Sequence, residues 1–126
     1  MPKFIKYWLP LAAYGLLIFI QSSFPSPIHE PDVPYFDKYL HVIAYAVLGV
    51  LFFRAYRTLR LGDDTTKVVL LSILSAGLYG ISDEIHQYFV PGREADAMDA
   101  AVNFVGAACG VFCYQYVAKR RSTVGL

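Results

Sequence analysis

Charge is what this chain has least of. Lysine, arginine, aspartate and glutamate make up 17% of its 126 residues, against 56% hydrophobic ones. A soluble domain this short buries the smallest fraction of its surface, so the imbalance argues against an ordinary water-soluble bundle. Cysteine is nearly absent as well. Cys109 and Cys113 stand four apart in one apolar stretch, with neither the count of a disulfide framework nor a zinc-ligand spacing, and read as small packing residues. No A-x-A-like site follows the first apolar stretch, which therefore reads as an uncleaved helix instead of a signal peptide. There is no internal repeat and no composition break that would mark a second domain.

What the chain does have is four apolar stretches, at about 4–21, 39–56, 68–87 and 97–118. Each approaches the ~20 residues a helix needs to cross ~30 Å of hydrocarbon. They are apolar nearly all round and not along one stripe. The expectation is an all-α chain, a single domain over 1–126 folded as a four-helix transmembrane bundle with successive helices antiparallel. The bases are distributed unevenly. Lys3, Lys6, Arg54, Arg57, Arg60, Lys67, Lys119, Arg120 and Arg121 fall at the tails and the middle connection, and only Lys38 and Arg93 fall on the opposite side. The positive-inside rule then makes both termini cytoplasmic.

The formal charge of +1 conceals this sidedness. Glu30, Asp32, Asp37, Asp83, Glu84, Glu94, Asp96 and Asp99 lie outside with two bases, giving −6; nine bases with Asp63 and Asp64 give +7 inside. All three histidines, His29, His41 and His86, are also outer. A basic inner rim suits topology and anionic lipid headgroups, and implies no nucleic acid.

The connections carry their own signals. Pro25, Pro27, Pro31 and Pro34 give the first outer connection an extended or turning backbone. Thr65 or Thr66 is placed to cap the third helix and Asp96 the fourth, while Asp37 beside Lys38 suits a cap and local pair for the second. Pro10 is placed to kink the first helix. Gly106 and Gly110 form a G-x-x-x-G pair, which favours close helix packing within the monomer over a dimer seam.

Helical periodicity gathers the polar residues. Asp37, His41 and Tyr45 share one face of the second helix; Tyr79, Asp83, His86 and Gln87 share one of the third, with Glu84 about 100° round; Asp96, Asp99, Asn103, Gly106 and Gly110 form a stripe on the fourth. The twelve residues between His41 and Arg54 rise only about 18 to 20 Å. His41, Asp83 and Asn103 are thus expected within the outer third of the membrane, where ionisable groups face the bundle or a wet cavity and mark function.

The run YGISDEIHQYFVPGREADAMDAAVNFVGAACG from Tyr79 to Gly110, with DKYLHVIAYAVLG from Asp37 to Gly49, closely resembles the VanZ-like family of small bacterial membrane proteins. The matching positions are Asp37, Lys38, His41, Tyr45, Tyr79, Gly80, Asp83, Glu84, Gln87, Pro91, Gly92, Arg93, Asp99, Asn103 and Gly106, with Ser22 and Ser23 after the first span. The resemblance implies a multi-pass protein of the bacterial inner (plasma) membrane. The family's founding member is associated with resistance to the glycopeptide teicoplanin, and no enzyme activity comes with the family.

Three mechanisms are open. An outer-leaflet polar pocket would bind an envelope lipid, a glycopeptide or a cell-wall enzyme, with Asp37, Lys38, Tyr45, Gln87, Arg93, Asp99 and Asn103 as ligand-binding residues. Alternatively, it would act as a hydrolase or transferase on a lipid-linked or cell-wall substrate. There His41, Asp83 and Glu84 would be catalytic, Glu84 or Asp83 as base and His41 as proton partner, with Lys38 and Arg93 holding an anionic headgroup. A variant places magnesium, calcium or manganese between Asp37, His41, Asp83 and Glu84. The third mechanism, a proton or ion path, is disfavoured by the plainly apolar inner half.

Overall fold

The computed structural model describes residues 1–24, 35–93 and 95–123. The Pro-rich connection with His29, Glu30 and Asp32 lies largely outside the described residues, as does Glu94. Four helices form: α1 (Leu9–Ser22), entered through a π-helical turn over Phe4–Trp8, α2 (Phe36–Tyr56), α3 (Thr65–Tyr88) and α4 (Ala97–Thr123). A 3₁₀ turn over Arg60–Asp63 joins α2 to α3. All four, counting the first from Phe4, are long and apolar enough to cross a membrane.

The helices begin and end where local chemistry dictates. Asp64, not Thr65 or Thr66, caps α3, its carboxylate accepting the Lys67 N–H at 3.2 Å. An acceptor one residue earlier leaves both threonines inside the first turn. Asp96 caps α4, accepting the Met98 N–H at 2.9 Å. Asp37 caps nothing: α2 starts from Tyr35 with no side-chain cap bond, and Asp37 sits inside its first turn. Pro10 falls at the boundary between the π turn and α1, where its missing N–H removes a bond to the residue four back.

The largest interface joins α2 to α4, two parallel helices that are not consecutive; α3 packs on both. Its closeness comes from glycine. A Cβ at Gly106 would stand 2.6 Å from the Val42 carbonyl oxygen, and one at Gly110 would overlap the Ala46 carbonyl. The G-x-x-x-G pair is therefore engaged within the monomer. The core around this seam comprises Tyr45, Leu48, Phe53, Ala55, Val68, Ala76, Ala107 and Val111. Around it Leu17, Ile43, Leu70, Leu78, Ile85, Val105 and Phe112 are exposed, a surface suited to lipid and not to water. Cys109 and Cys113 lie on that exposed surface of α4 and not in the packing, because the α2 contact is made by the glycine and alanine face.

By contrast, α1 adds only Leu11 to the buried core and is also tied to the bundle by hydrogen bonds. The Tyr14 hydroxyl donates to the Ala44 carbonyl at 2.8 Å, the Tyr79 hydroxyl to the Gly15 carbonyl, and the Trp8 indole to the Thr58 hydroxyl at 3.0 Å. Of its 18-residue apolar window, only 6% of residues are buried. Removing both phenol oxygens (Tyr14→Phe with Tyr79→Phe) should cost about 0.6 to 1.5 kcal/mol each. A two-step detergent unfolding curve with α1 leaving first would show it; unchanged cooperativity and midpoint would disprove that attachment.

Candidate functional site

At the end of the bundle opposite the basic residues, the first turns of α2 and α4 meet the last turns of α3. Lys38 is the hub. Its ammonium lies 3.0 Å from Asp37 Oδ2, 2.8 Å from Asp96 Oδ2 and 2.5 Å from Asp99 Oδ1. Asp37 is its chain neighbour, while Asp96 and Asp99 come from the start of α4, so the lysine fastens α4 to α2. An ammonium has three donors and all three are directed at carboxylates. Lys38 is thereby withdrawn from holding an anionic headgroup. The Lys38 hydrogen bond, followed by that of the Met98 N–H, holds the Asp96 carboxyl below its usual range.

One turn deeper, His41 Nδ1 lies 2.9 Å from Asn103 Oδ1, and Nε2 lies 3.5 Å from Asp99 Oδ2. An amide oxygen only accepts, so the Asn103 bond requires a proton on Nδ1. Glu84, on α3, accepts the Asp96 backbone N–H through Oε2 at 3.1 Å. Its other oxygen, Oε1, and Asn103 Nδ2 are buried without a hydrogen-bond partner among the described residues.

Asp83 turns to another side. It accepts from the Tyr45 hydroxyl and from Gln87 Nε2, each at 3.2 Å, and Gln87 also donates to Ser22 Oγ at 3.2 Å. This second chain links α2, α3 and the end of α1. His86 joins neither group: it pairs with Ser23 Oγ at 2.9 Å and stacks on Phe19.

The stripes thus resolve into two connected groups. Asp37, Lys38, His41, Glu84, Asp96, Asp99 and Asn103 meet in the hub; Tyr45, Asp83 and Gln87 form the adjoining chain. The quartet Asp37, His41, Asp83 and Glu84 is not brought together as a cation cage, because Asp37 is turned to Lys38 and Asp83 to Tyr45 and Gln87. Arg93 is half-buried in the turn after α3, and among the described residues the ion pairs of Asp96 and Asp99 run to Lys38. Sequence periodicity assigned Asp96 as a cap but missed it as a partner of Lys38. Its spacing of three from Asp99 is the signal that places both on one turn. Ser22 and Ser23 had no role assigned before the structure turned them toward α3.

A family model described as VanZ/LLP1 matches residues 4–118. The chain belongs to the VanZ/LLP1 family. The match contains all four helices but for the end of α4, and every residue of the hub and of the adjoining chain. Together with the four apolar helices it makes this a VanZ-like membrane protein. No curated protein and no solved structure matches the chain.

Proposed function

We propose that this chain is a multi-pass protein of the bacterial inner membrane, with cytoplasmic termini, whose outward polar end binds an envelope amphiphile and thereby contributes to teicoplanin tolerance. The observation that carries this reading is the placement of the polar network. Five carboxylates, one lysine and one histidine are shared among three helices at one end, and the basic residues gather at the other. Capping the helices would not need that many ionisable groups at one end of an apolar bundle.

A groove of about 400 Å³ beside α1 supports an amphiphilic ligand. It is lined by Leu11, Gly15, Leu16, Phe19, Leu48 and Tyr79, among others, and is almost wholly apolar. Tyr79 stands one turn below Asp83, so an acyl or isoprenoid tail in the groove would bring its headgroup to the network. The exposed rings of Phe24, Tyr35, Tyr88 and Phe89 surround that end and suit the interfacial level. Acid excess at the hub favours ammonium or hydroxyl donors on the headgroup. A lipid-tailed glycopeptide and a lipid-linked precursor both have this two-part form.

The test is susceptibility of a sensitive host expressing wild type, His41→Ala or Glu84→Ala at equal membrane abundance. Wild type should raise the inhibitory concentration of teicoplanin severalfold and that of vancomycin less, and both variants should lose the effect. Protection equal in all three proteins, or none from wild type, would overturn the reading. The second reading, a membrane-embedded hydrolase or transferase, is favoured by the partnerless Oε1 of Glu84, a base without a competing donor. Turnover of an envelope lipid by purified protein, abolished in Glu84→Gln, would establish it in place of binding.

A further inference from the structure

We infer that His41, Glu84 and Asp99 form a divalent metal site. One donor atom from each lies within 4.8 Å of the other two. The three come from three different helices, α2, α3 and α4, so this convergence is a tertiary feature.

What singles them out is how each ligand is held. His41 spends Nδ1 on Asn103 and presents the Nε2 lone pair. Asp99 spends Oδ1 on Lys38 and keeps Oδ2, on the His41 side. Glu84 spends Oε2 on the Asp96 N–H and keeps Oε1. In each case one polar atom is fixed by an outer partner and the other remains for an ion, the arrangement that orients metal ligands in proteins.

The independent observation is Glu84 Oε1. Glu84 is only 7% exposed, and this oxygen has no hydrogen-bond partner among the described residues. A buried carboxylate oxygen without a donor is costly and rare. A cation shared with His41 and Asp99 satisfies it. Asp37, Asp83 and Asp96 add further carboxylates at this end, surroundings that favour a cation.

The donor set selects the class of ion. One imidazole with two carboxylates suits a first-row divalent cation such as Mn²⁺ or Zn²⁺ better than an all-oxygen ion such as Ca²⁺. Metal bonds of about 2.1 Å bring cis donors to roughly 3 Å, so the three side chains close on the ion as it binds. The inference does not rest on the amphiphile reading, and either can fail alone.

The test uses the untagged full chain in detergent, stripped with chelator and titrated with Mn²⁺, then with Zn²⁺ in competition. One ion per chain is expected, with affinity at least tenfold lower in Glu84→Gln. Because His41 is one of three histidines, the His29→Ala/His86→Ala protein leaves it as the sole imidazole. Its bound Mn²⁺ should show directly coordinated nitrogen by electron spin-echo modulation. Absence of one-to-one binding in wild type, absence of nitrogen coupling in the double variant, or unaltered affinity in folded Glu84→Gln would each overturn the site. If Glu84→Gln does not fold, the stoichiometry and the nitrogen coupling decide it.

Discussion

Lys38→Met should cost about 3 kcal/mol of stability, the lower end of what removing one partner of a buried ion pair costs, since water still reaches the lysine. Methionine keeps the stem and deletes the ammonium. Asp99, whose side chain is 7% exposed, then loses its closest cation and is left beside Asp37 and Asp96. The measurement is the unfolding midpoint of the purified protein, and the decisive comparison is Lys38→Met with Asp99→Asn. The double variant should be more stable than Lys38→Met alone, because the stranded charge is gone, with a coupling of at least 1 kcal/mol. Strictly additive losses, or a Lys38→Met protein as stable as wild type, would mean that Lys38 is not the hub. The pH dependence follows from Asp96. Its carboxyl is held below the usual range, so its share of the hub is whole above about pH 4 and fades as pH falls through the lowered value.

The second large effect belongs to the α2–α4 seam. Gly110→Leu places a Cβ over the Ala46 carbonyl and within 2.7 Å of its Cα. Those neighbours are backbone and cannot rotate away, so the helices must separate. Overpacking costs ~1–3 kcal/mol where side chains can yield, and this substitution is expected at about 3 kcal/mol or beyond, with loss of most folded protein on size exclusion. Cys109→Leu, one residue away on the exposed side, should purify and melt like wild type. A normal Gly110→Leu protein would show that the G-x-x-x-G pair does not serve this seam.

Separating α2 from α4 would also pull Lys38 and His41 from Asp99 and Asn103, so the seam and the hub depend on one another. Gly106 and Gly110 continue the stripe that carries Asp96, Asp99 and Asn103. Small residues below let the helices approach, and that approach brings the polar residues above within hydrogen-bond range. Gly110→Leu is accordingly expected to remove metal binding together with the fold.

Periodicity was enough to collect the polar residues onto faces, because a helix fixes which residues three and four apart are neighbours. It could not show that Asp83 and Glu84, adjacent in sequence, serve different groups. That depends on which helix stands at each side of α3: α4 meets Glu84, while α2 and α1 meet Asp83 and Gln87. The cap of α3 was missed by one residue, since Asp64, Thr65 and Thr66 are all competent acceptors and only the backbone turn chooses among them. The burial expected of Cys109 and Cys113 failed for a related reason. In an apolar chain, hydrophobicity no longer distinguishes the face that meets protein from the face that meets lipid.

By itself the sequence determined the all-α class, four spans of membrane length and the separation of bases from acids, because these depend on composition and on distance along the chain. It also determined the family, through the motifs from Asp37 to Tyr45 and from Tyr79 to Gly106. Only the tertiary structure decided that parallel α2 and α4 make the principal interface, that Lys38 spends its three donors on carboxylates, and that His41, Glu84 and Asp99 converge. Those facts depend on how helices rotate and approach across long sequence separations, and single-helix periodicity carries no information about the partner.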